Sequence, residues 1–207
     1  DTFYIHGGRG IKDVLIDENK IFVTYSNRLK ENCYNISILV AEINLEYLNF
    51  EKYFEPPTCL MVDKRFNKWS DNSGGGRLVK FKNNKYLFSH GGFKTRVKAQ
   101  DNETVFGKNI EIDNETKKWK IISKGHRNVQ GLYYDLEKDF IVSTEHGPMG
   151  GDEININNLN SSEINNYGWP ISSYGEHYGS RELNKENYSE APLYKSHSEY
   201  GFEEPAK

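Results

Sequence analysis

Long apolar runs are missing from this chain of 207 residues. Hydrophobic residues make up 36%, and no stretch approaches the length of a membrane-spanning helix. An excess of basic charge is missing too. Lys plus Arg number 27 against 30 Asp plus Glu, a net charge of −3, which argues against a nucleic-acid partner and its need for a basic face. Cysteine is scarce: Cys33 and Cys59 stand alone, 26 residues apart. Without histidines at ligand spacing the pair does not read as a metal site. Two buried thiols remain open as a reading, and so does a disulfide if the protein is exported. No signal-peptide pattern opens the chain, and its first residue, Asp1, is compatible with a targeting segment already removed. Helical periodicity is the last absence. No stretch holds an amphipathic 3.6-residue period, and Ser162 to Asn166 is at most a short turn.

What the chain has is aromatic residues and a repeat. Its 14 Tyr and 11 Phe suit half-buried pleated surfaces. Three segments share one pattern: Gly10–Asp17 into Ile21–Ser26, Gly76–Phe81 into Tyr86–Ser89, and Gly131–Asp135 into Phe140–Thr144. Each is an apolar strand, a short polar turn and a second strand ending in hydroxyl residues, a β-hairpin recurring every 55 to 65 residues or so. Further alternating runs lie between them, at Asn35–Ile43, Lys108–Asp113 and Trp119–Ile122. Four strands per repeat make the blade of a β-propeller, with a β-sandwich as the alternative. The expectation is an all-β fold of four-stranded antiparallel blades, roughly 8–56, 74–123 and 128–207. Three blades do not close a ring, so a fragment, a truncated chain, or a half-propeller completed by a second copy or another chain is expected. Asn-X-Ser/Thr triplets at Asn35, Asn102, Asn114 and Asn187 are what an Asn-rich sequence produces by chance.

The residues able to carry chemistry gather between Gly125 and Pro170. Arg127, Asn128 and Gln130 precede or begin a strand, where a propeller places ligands. A guanidinium offers paired donors to a carboxylate, and the two amides add neutral hydrogen bonds; a salt bridge between blades would use Arg127 equally well. Gly147 and Pro148 can turn their carbonyls out of a ladder towards a hard cation, or simply make a tight turn. Asp152 and Glu153 are adjacent in an extended segment, so they point to opposite faces and serve different sites, unless both belong to a solvated turn. His146 reads as a ligand-facing group or a packed loop residue. Tyr167-Gly168-Trp169-Pro170 reads as an aromatic anchor for the loop.

These ordered motifs, Gly-His-Arg-Asn-Val-Gln-Gly, then Thr-Glu-His-Gly-Pro-Met-Gly-Gly-Asp-Glu-Ile-Asn, then Asn-Tyr-Gly-Trp-Pro, resemble the soluble quinoprotein sugar dehydrogenases of the glucose/sorbosone dehydrogenase family. The resemblance implies a six-bladed propeller in a chain about twice this length, working outside the cytoplasm, periplasmic or secreted, on a small-molecule sugar. It implies pyrroloquinoline quinone (PQQ), a flat tricarboxylated quinone, held by Arg127, Asn128 and Gln130, with His146 and Asp152 nearby. It implies calcium on the carbonyls of Gly147 and Pro148, polarising the quinone, and a second calcium on Glu153 and the Tyr167 carbonyl.

One position departs from the family pattern. Where the family writes His-x-x-Gly-Arg-Leu, this chain writes Ser73-Gly74-Gly75-Gly76-Arg77-Leu78. In the family that histidine takes the proton of the sugar hydroxyl while hydride moves to the quinone. Ser73 has no useful basicity near neutral pH. His90, at the end of the same hairpin, is the other imidazole within reach of that role. Two functions are therefore expected: PQQ- and calcium-dependent oxidation of an aldose or related alcohol, or a catalytically impaired propeller that binds a ligand or partner.

Overall fold

The computed structural model of the chain describes residues 10–61, 73–93, 96–148, 150–160 and 163–173. The triplet at Asn187 lies outside them. The described residues form three sheets. The first orders β1 (Ile11–Asp17), β2 (Lys20–Lys30), β3 (Cys33–Glu42) and β4 (Glu51–Phe54), with β5 (Leu60–Met61) also on β3. The second orders β6 (Gly75–Phe81), β7 (Lys85–His90), β8 (Lys108–Asp113) and β9 (Trp119–Lys124); the third, β10 (Val129–Asp135), β11 (Phe140–Glu145) and β12 (Glu153–Asn158). Every consecutive pair within these sheets is antiparallel. The three hairpins expected from the alternation are β1–β2, β6–β7 and β10–β11. The fold is an all-β propeller, of which about three blades are present. Its inner strands are neighbours: β6 lies against both β1 and β10.

The hairpins form because alternation in the sequence puts one row of each strand into a shared core. Phe22, Ile36, Ile38, Leu78, Phe88, Ile110 and Ile112 fill the space between the first two sheets, and Phe81, Leu87 and Ile141 that between the second and third. The turns use residues that tolerate positive φ: Asn83 and Asn84 between β6 and β7, Asp139 between β10 and β11. Polar joints fix how the sheets meet. Asp13 accepts from Arg77 Nη1 (3.3 Å) and from the Leu78 N–H (3.0 Å). Lys82 reaches Asp139 at 2.7 Å across the second and third sheets. Lys108, fully buried, donates to the carbonyls of Lys98, Ala99 and Phe106, closing the short 3-10 turn Arg96–Ala99 onto β8.

Three details go beyond the sequence reading. Cys33 and Cys59 form a disulfide, with Cα atoms 5.4 Å apart, so of the two alternatives the bridge is the one realised. Asn35 is buried and donates to the Pro56 and Thr58 carbonyls, which removes it as a glycosylation acceptor. After β12 the chain returns to the second sheet, where β13 (Asn165–Asn166) pairs parallel with β9. The stretch read as at most a short turn is thus extended over its last two residues. No helix among the described residues is long and apolar enough to cross a membrane.

Candidate functional site

Register brings the motif residues to one rim. Gly75 pairs with His90, and Val129 with Glu145, which in turn pairs with Glu153. The starts of β6, β10 and β12 therefore share an edge with the ends of β7 and β11. A cleft of about 480 Å³ opens elsewhere, at the opposite ends of the first sheet's strands, beside Lys20, Glu42 and Tyr47.

Arg127 is held from several sides. Its Nη1 donates to the His146 carbonyl (2.6 Å), its guanidinium lies 5.4 Å over the Trp169 ring, and its backbone N–H donates to Glu145 Oε2 (2.6 Å). Arg127 therefore stands beside the Gly147-Pro148 turn, since His146 immediately precedes Gly147. Trp169 is thus more than a loop anchor: it is the face against which the guanidinium is set. Asn128 is buried, and its Oδ1 accepts from the Gly75 N–H (3.2 Å) and from Gln130 Nε2 (2.8 Å). It acts as a joint between the Arg-Asn-Gln motif and the Ser73 segment.

The cation side is equally local. Gly151 N–H donates to the Pro148 carbonyl (2.8 Å), closing a turn in which Gly150 has φ +76°. A carbonyl oxygen has a second lone pair, so this turn does not exhaust Pro148 as a donor to a cation. Gly147 cannot be larger, because a Cβ there would meet the Gly151 carbonyl oxygen. Asp152, exposed, accepts from the Gly147 N–H (3.1 Å) and faces His146 Nδ1 (3.2 Å). His146 is exposed as well, so it presents to solvent and is not packed. Glu153 points the other way, into a network with Asn155 (3.3 Å). Burial, together with Glu145 and Asp152 nearby, pushes its carboxyl up to about 8. Tyr167 reaches the same strand through its hydroxyl, which donates to the Ile156 carbonyl (2.8 Å).

Ser73 is buried. Its carbonyl accepts from the Phe93 N–H (3.0 Å), and the Gly74 carbonyl from the Gly91 N–H (2.7 Å), while Gly92 N–H donates to the Arg127 carbonyl (3.0 Å). Residues 91–93 therefore clamp the Ser73 segment to the Arg127 loop. A Cβ on Gly91 would lie 2.1 Å from the Ser73 carbonyl oxygen and 2.7 Å from the Gly75 nitrogen, backbone atoms with nowhere to move. Gly91→Ala is expected to cost about 3 kcal/mol in urea unfolding, the upper end of overpacking; a loss below about 1 kcal/mol would refute the close approach.

His90 does not take the role considered for it. It has no exposed surface and packs against Phe88, Phe93 and Phe106. Its Nε2 accepts from the Ile36 N–H (3.0 Å) and its Nδ1–H donates to the Gly91 carbonyl (2.9 Å), which fixes a neutral imidazole. Burial pulls its pKa down to about 3. An unfolded histidine titrates near 6.5, so between those values the unfolded chain binds the extra proton. Stability is then present above pH 6.5 and lost as pH falls towards 3. Urea unfolding at pH 4.5 is expected to show a loss of about 2 to 3 kcal/mol relative to pH 7, removed in His90→Gln if the glutamine packs.

The sequence reading missed Glu145 and His126. Both are buried, with His126 Nδ1 2.9 Å from Glu145 Oε1. The signal was present: Glu145 has the same parity in β11 as Ile141 and Ser143, which face inward, and an inward carboxylate needs partners.

The residues fit the groups the resemblance implies. For a flat, carboxylated ligand the rim offers a planar cation set on an indole face, and the Gln130 amide, bound to Asn128, at the start of β10. For a hard cation, the donor chemistry is carbonyl and carboxylate oxygen, and the crowding of Glu145, Glu153 and Asp152 is charge that a divalent ion offsets. Among the described residues no three Asp, Glu, His or Cys side chains converge as metal ligands. Backbone carbonyls would have to supply the rest.

Comparison with known proteins bears on the family and the fold. The family model described as Glucose / Sorbosone dehydrogenase matches residues 2–201. Aldose sugar dehydrogenase YliI of Escherichia coli is 35% identical over 197 residues, 84% of this chain and 50% of the relative. A crystal structure of a glucose dehydrogenase superposes over 99% of this chain and 60% of its own, with TM-score 0.76 at 23% identity. The PQQ-bound form of an aldose sugar dehydrogenase from Streptomyces coelicolor does so over 87% and 53%, with TM-score 0.63 at 18% identity. The chain spans about half the length of the aldose sugar dehydrogenase.

Proposed function

The chain belongs to the glucose/sorbosone dehydrogenase family, and from that membership we propose that it is the cofactor-binding part of a PQQ- and calcium-dependent oxidoreductase acting on an aldose sugar or related alcohol. The observation that carries this reading is Arg127, fixed between Trp169 and the His146 carbonyl at the edge of the Gly147-Pro148 turn. PQQ, when bound, would supply the hydride acceptor. Arg127 and Gln130 would bind its carboxylates, Asn128 would hold the loop that carries them, and His146 and Asp152 would border the site. The Gly147 and Pro148 carbonyls would hold one cation, Glu153 and the Tyr167 carbonyl another. The PQQ-bound Streptomyces relative supports the cofactor.

A second reading has its own observation. Ser73 offers no base, and His90 is sealed in the core, so the second hairpin supplies no imidazole to take a sugar proton. A propeller that holds its ligand without fast turnover fits that arrangement. Titration with PQQ and calcium, followed by dye reduction with aldoses, separates the two. Binding with turnover supports the enzyme, binding without turnover the ligand-holding propeller, and no binding removes both.

Two further expectations attach to the proposal. The outer face of the third sheet exposes Tyr133, Ile154 and Ile156, and β1 exposes Ile11, Val14 and Ile16. Apolar rows of this kind are covered by further blades, from a longer form of the chain or from a second copy. Sedimentation of the 24.0 kDa chain would check the second copy, with a mass near twice that value expected and a stable monomer counting against it. Location in the periplasm or outside the cell is supported by the Cys33–Cys59 bridge; fractionation of the source cells would test it.

A further inference from the structure

Beneath the rim lies a relay in which Ser123 Oγ is 2.8 Å from His126 Nε2 and His126 Nδ1 is 2.9 Å from Glu145 Oε1. The order Ser, His, carboxylate is that of a nucleophilic triad, but none of the three is open to a substrate: Ser123 and His126 have no exposed surface and Glu145 only 4%. The relay must act on the protein itself. Its carboxylate is saturated with donors. Glu145 Oε2 accepts the backbone N–H groups of Arg127 (2.6 Å) and Asn128 (3.2 Å), and Oε1 takes His126 and the Asn155 amide (2.7 Å). Despite burial, His126 and the Arg127 and Asn128 backbone N–H groups hold the Glu145 carboxyl below its ordinary value. His126 is stacked 4.9 Å from Tyr167, and Asn109 Nδ2 lies 3.2 Å from its Nε2.

We propose that Glu145 and His126 are positioning residues for the anionic ligand of the rim. Their relay anchors the Arg127–Asn128 backbone to β9, β11 and β12, and so aims the Arg127 guanidinium. The geometry is specific to this task. Both Glu145 oxygens are engaged, one by the loop that carries the ligand-facing groups and one by the scaffold. Through Asn155 the same carboxylate is bound to the strand that bears Glu153. Such partners behind a binding group typically change affinity by about 10- to 100-fold. The inference rests on Arg127 being the ligand's partner, as proposed above.

A double-mutant cycle tests it. Glu145→Gln is expected to weaken PQQ binding, read by tryptophan fluorescence with calcium present, by about 10- to 100-fold. In an Arg127→Ala background the same change should cost less than about threefold, since there is no guanidinium left to aim. Equal losses in both backgrounds would mean a merely structural role and would overturn the proposal, as would an unchanged affinity in the single variant. Should Glu145→Gln not fold, His126→Gln, which removes one of Glu145's donors and keeps the carboxylate, is read in the same cycle with the same criteria. If the unaltered protein does not bind PQQ, it is the function reading that fails. The positioning role is then read from ¹⁵N relaxation of the Arg127 side-chain Nε in the same variants: a guanidinium rigid in the parent and loosened in the variant supports it, and one equally ordered in both refutes it.

Discussion

Ser73→His is expected to raise the turnover number for dye-coupled aldose oxidation, in protein loaded with PQQ and calcium, by about 10²- to 10⁴-fold. Proton removal from the sugar hydroxyl accompanies loss of hydride in this chemistry, and a serine hydroxyl does not accept that proton near neutral pH. The change is confined to a side chain. The backbone around it is held independently, by the Ser73 carbonyl on Phe93, the Gly74 carbonyl on Gly91, and the Gly75 N–H on Asn128. Cofactor affinity should therefore stay within about threefold while turnover moves, because the bonds that tie the Ser73 segment to the Arg127 loop run through backbone atoms that the substitution keeps. A new pH dependence should accompany the gain, with activity rising as the introduced imidazole loses its proton. Unchanged turnover in a variant that binds PQQ normally would mean that the missing base is not what limits this protein.

The hairpins were legible because each buries one alternating row, and a period of two survives in sequence even when the identities drift. Phe22, Leu78 and Ile141 each sit on such a row. β13 was not legible, since two asparagines carry no periodicity and their pairing with β9 is set by the Gln100 amide, which bonds Asn166 and the Trp169 carbonyl. The disulfide was undecided for a similar reason: two cysteines fix no distance until β3 and the Pro56–Leu60 segment are laid side by side. The rim residues could be named from their motifs, but what each does with its own bonds could not. Asn128 is a case in point, because its buried oxygen faces Gly75, 53 residues earlier. His90 is another. Its place at the end of β7, on the same face as Phe88, follows from the hairpin, whereas two of the three aromatic rings that enclose it, Phe93 and Phe106, come from outside that hairpin.

Arg127→Ala should produce the largest loss of binding, about 10²- to 10⁴-fold in PQQ affinity, since charge-assisted hydrogen bonds to a carboxylate contribute roughly 1.5 to 3 kcal/mol each and the guanidinium can make two. Stability should change little. The side chain donates to the His146 carbonyl and lies on Trp169, contacts worth about 1 kcal/mol together at a partly exposed site. The loop itself is held by backbone bonds that alanine keeps: Arg127 N–H to Glu145, its carbonyl to Gly92, and the Asn128 carbonyl to the His146 N–H. Arg127→Lys separates charge from shape. A lysine preserves the positive charge but loses the planar fork and the stacking on indole, so an intermediate loss of about tenfold is expected. Binding of PQQ by Arg127→Ala within threefold of the parent, at unchanged melting temperature, would show that the guanidinium faces the protein alone. The rim would then be a joint between blades, and the ligand would have to be sought elsewhere on the fold.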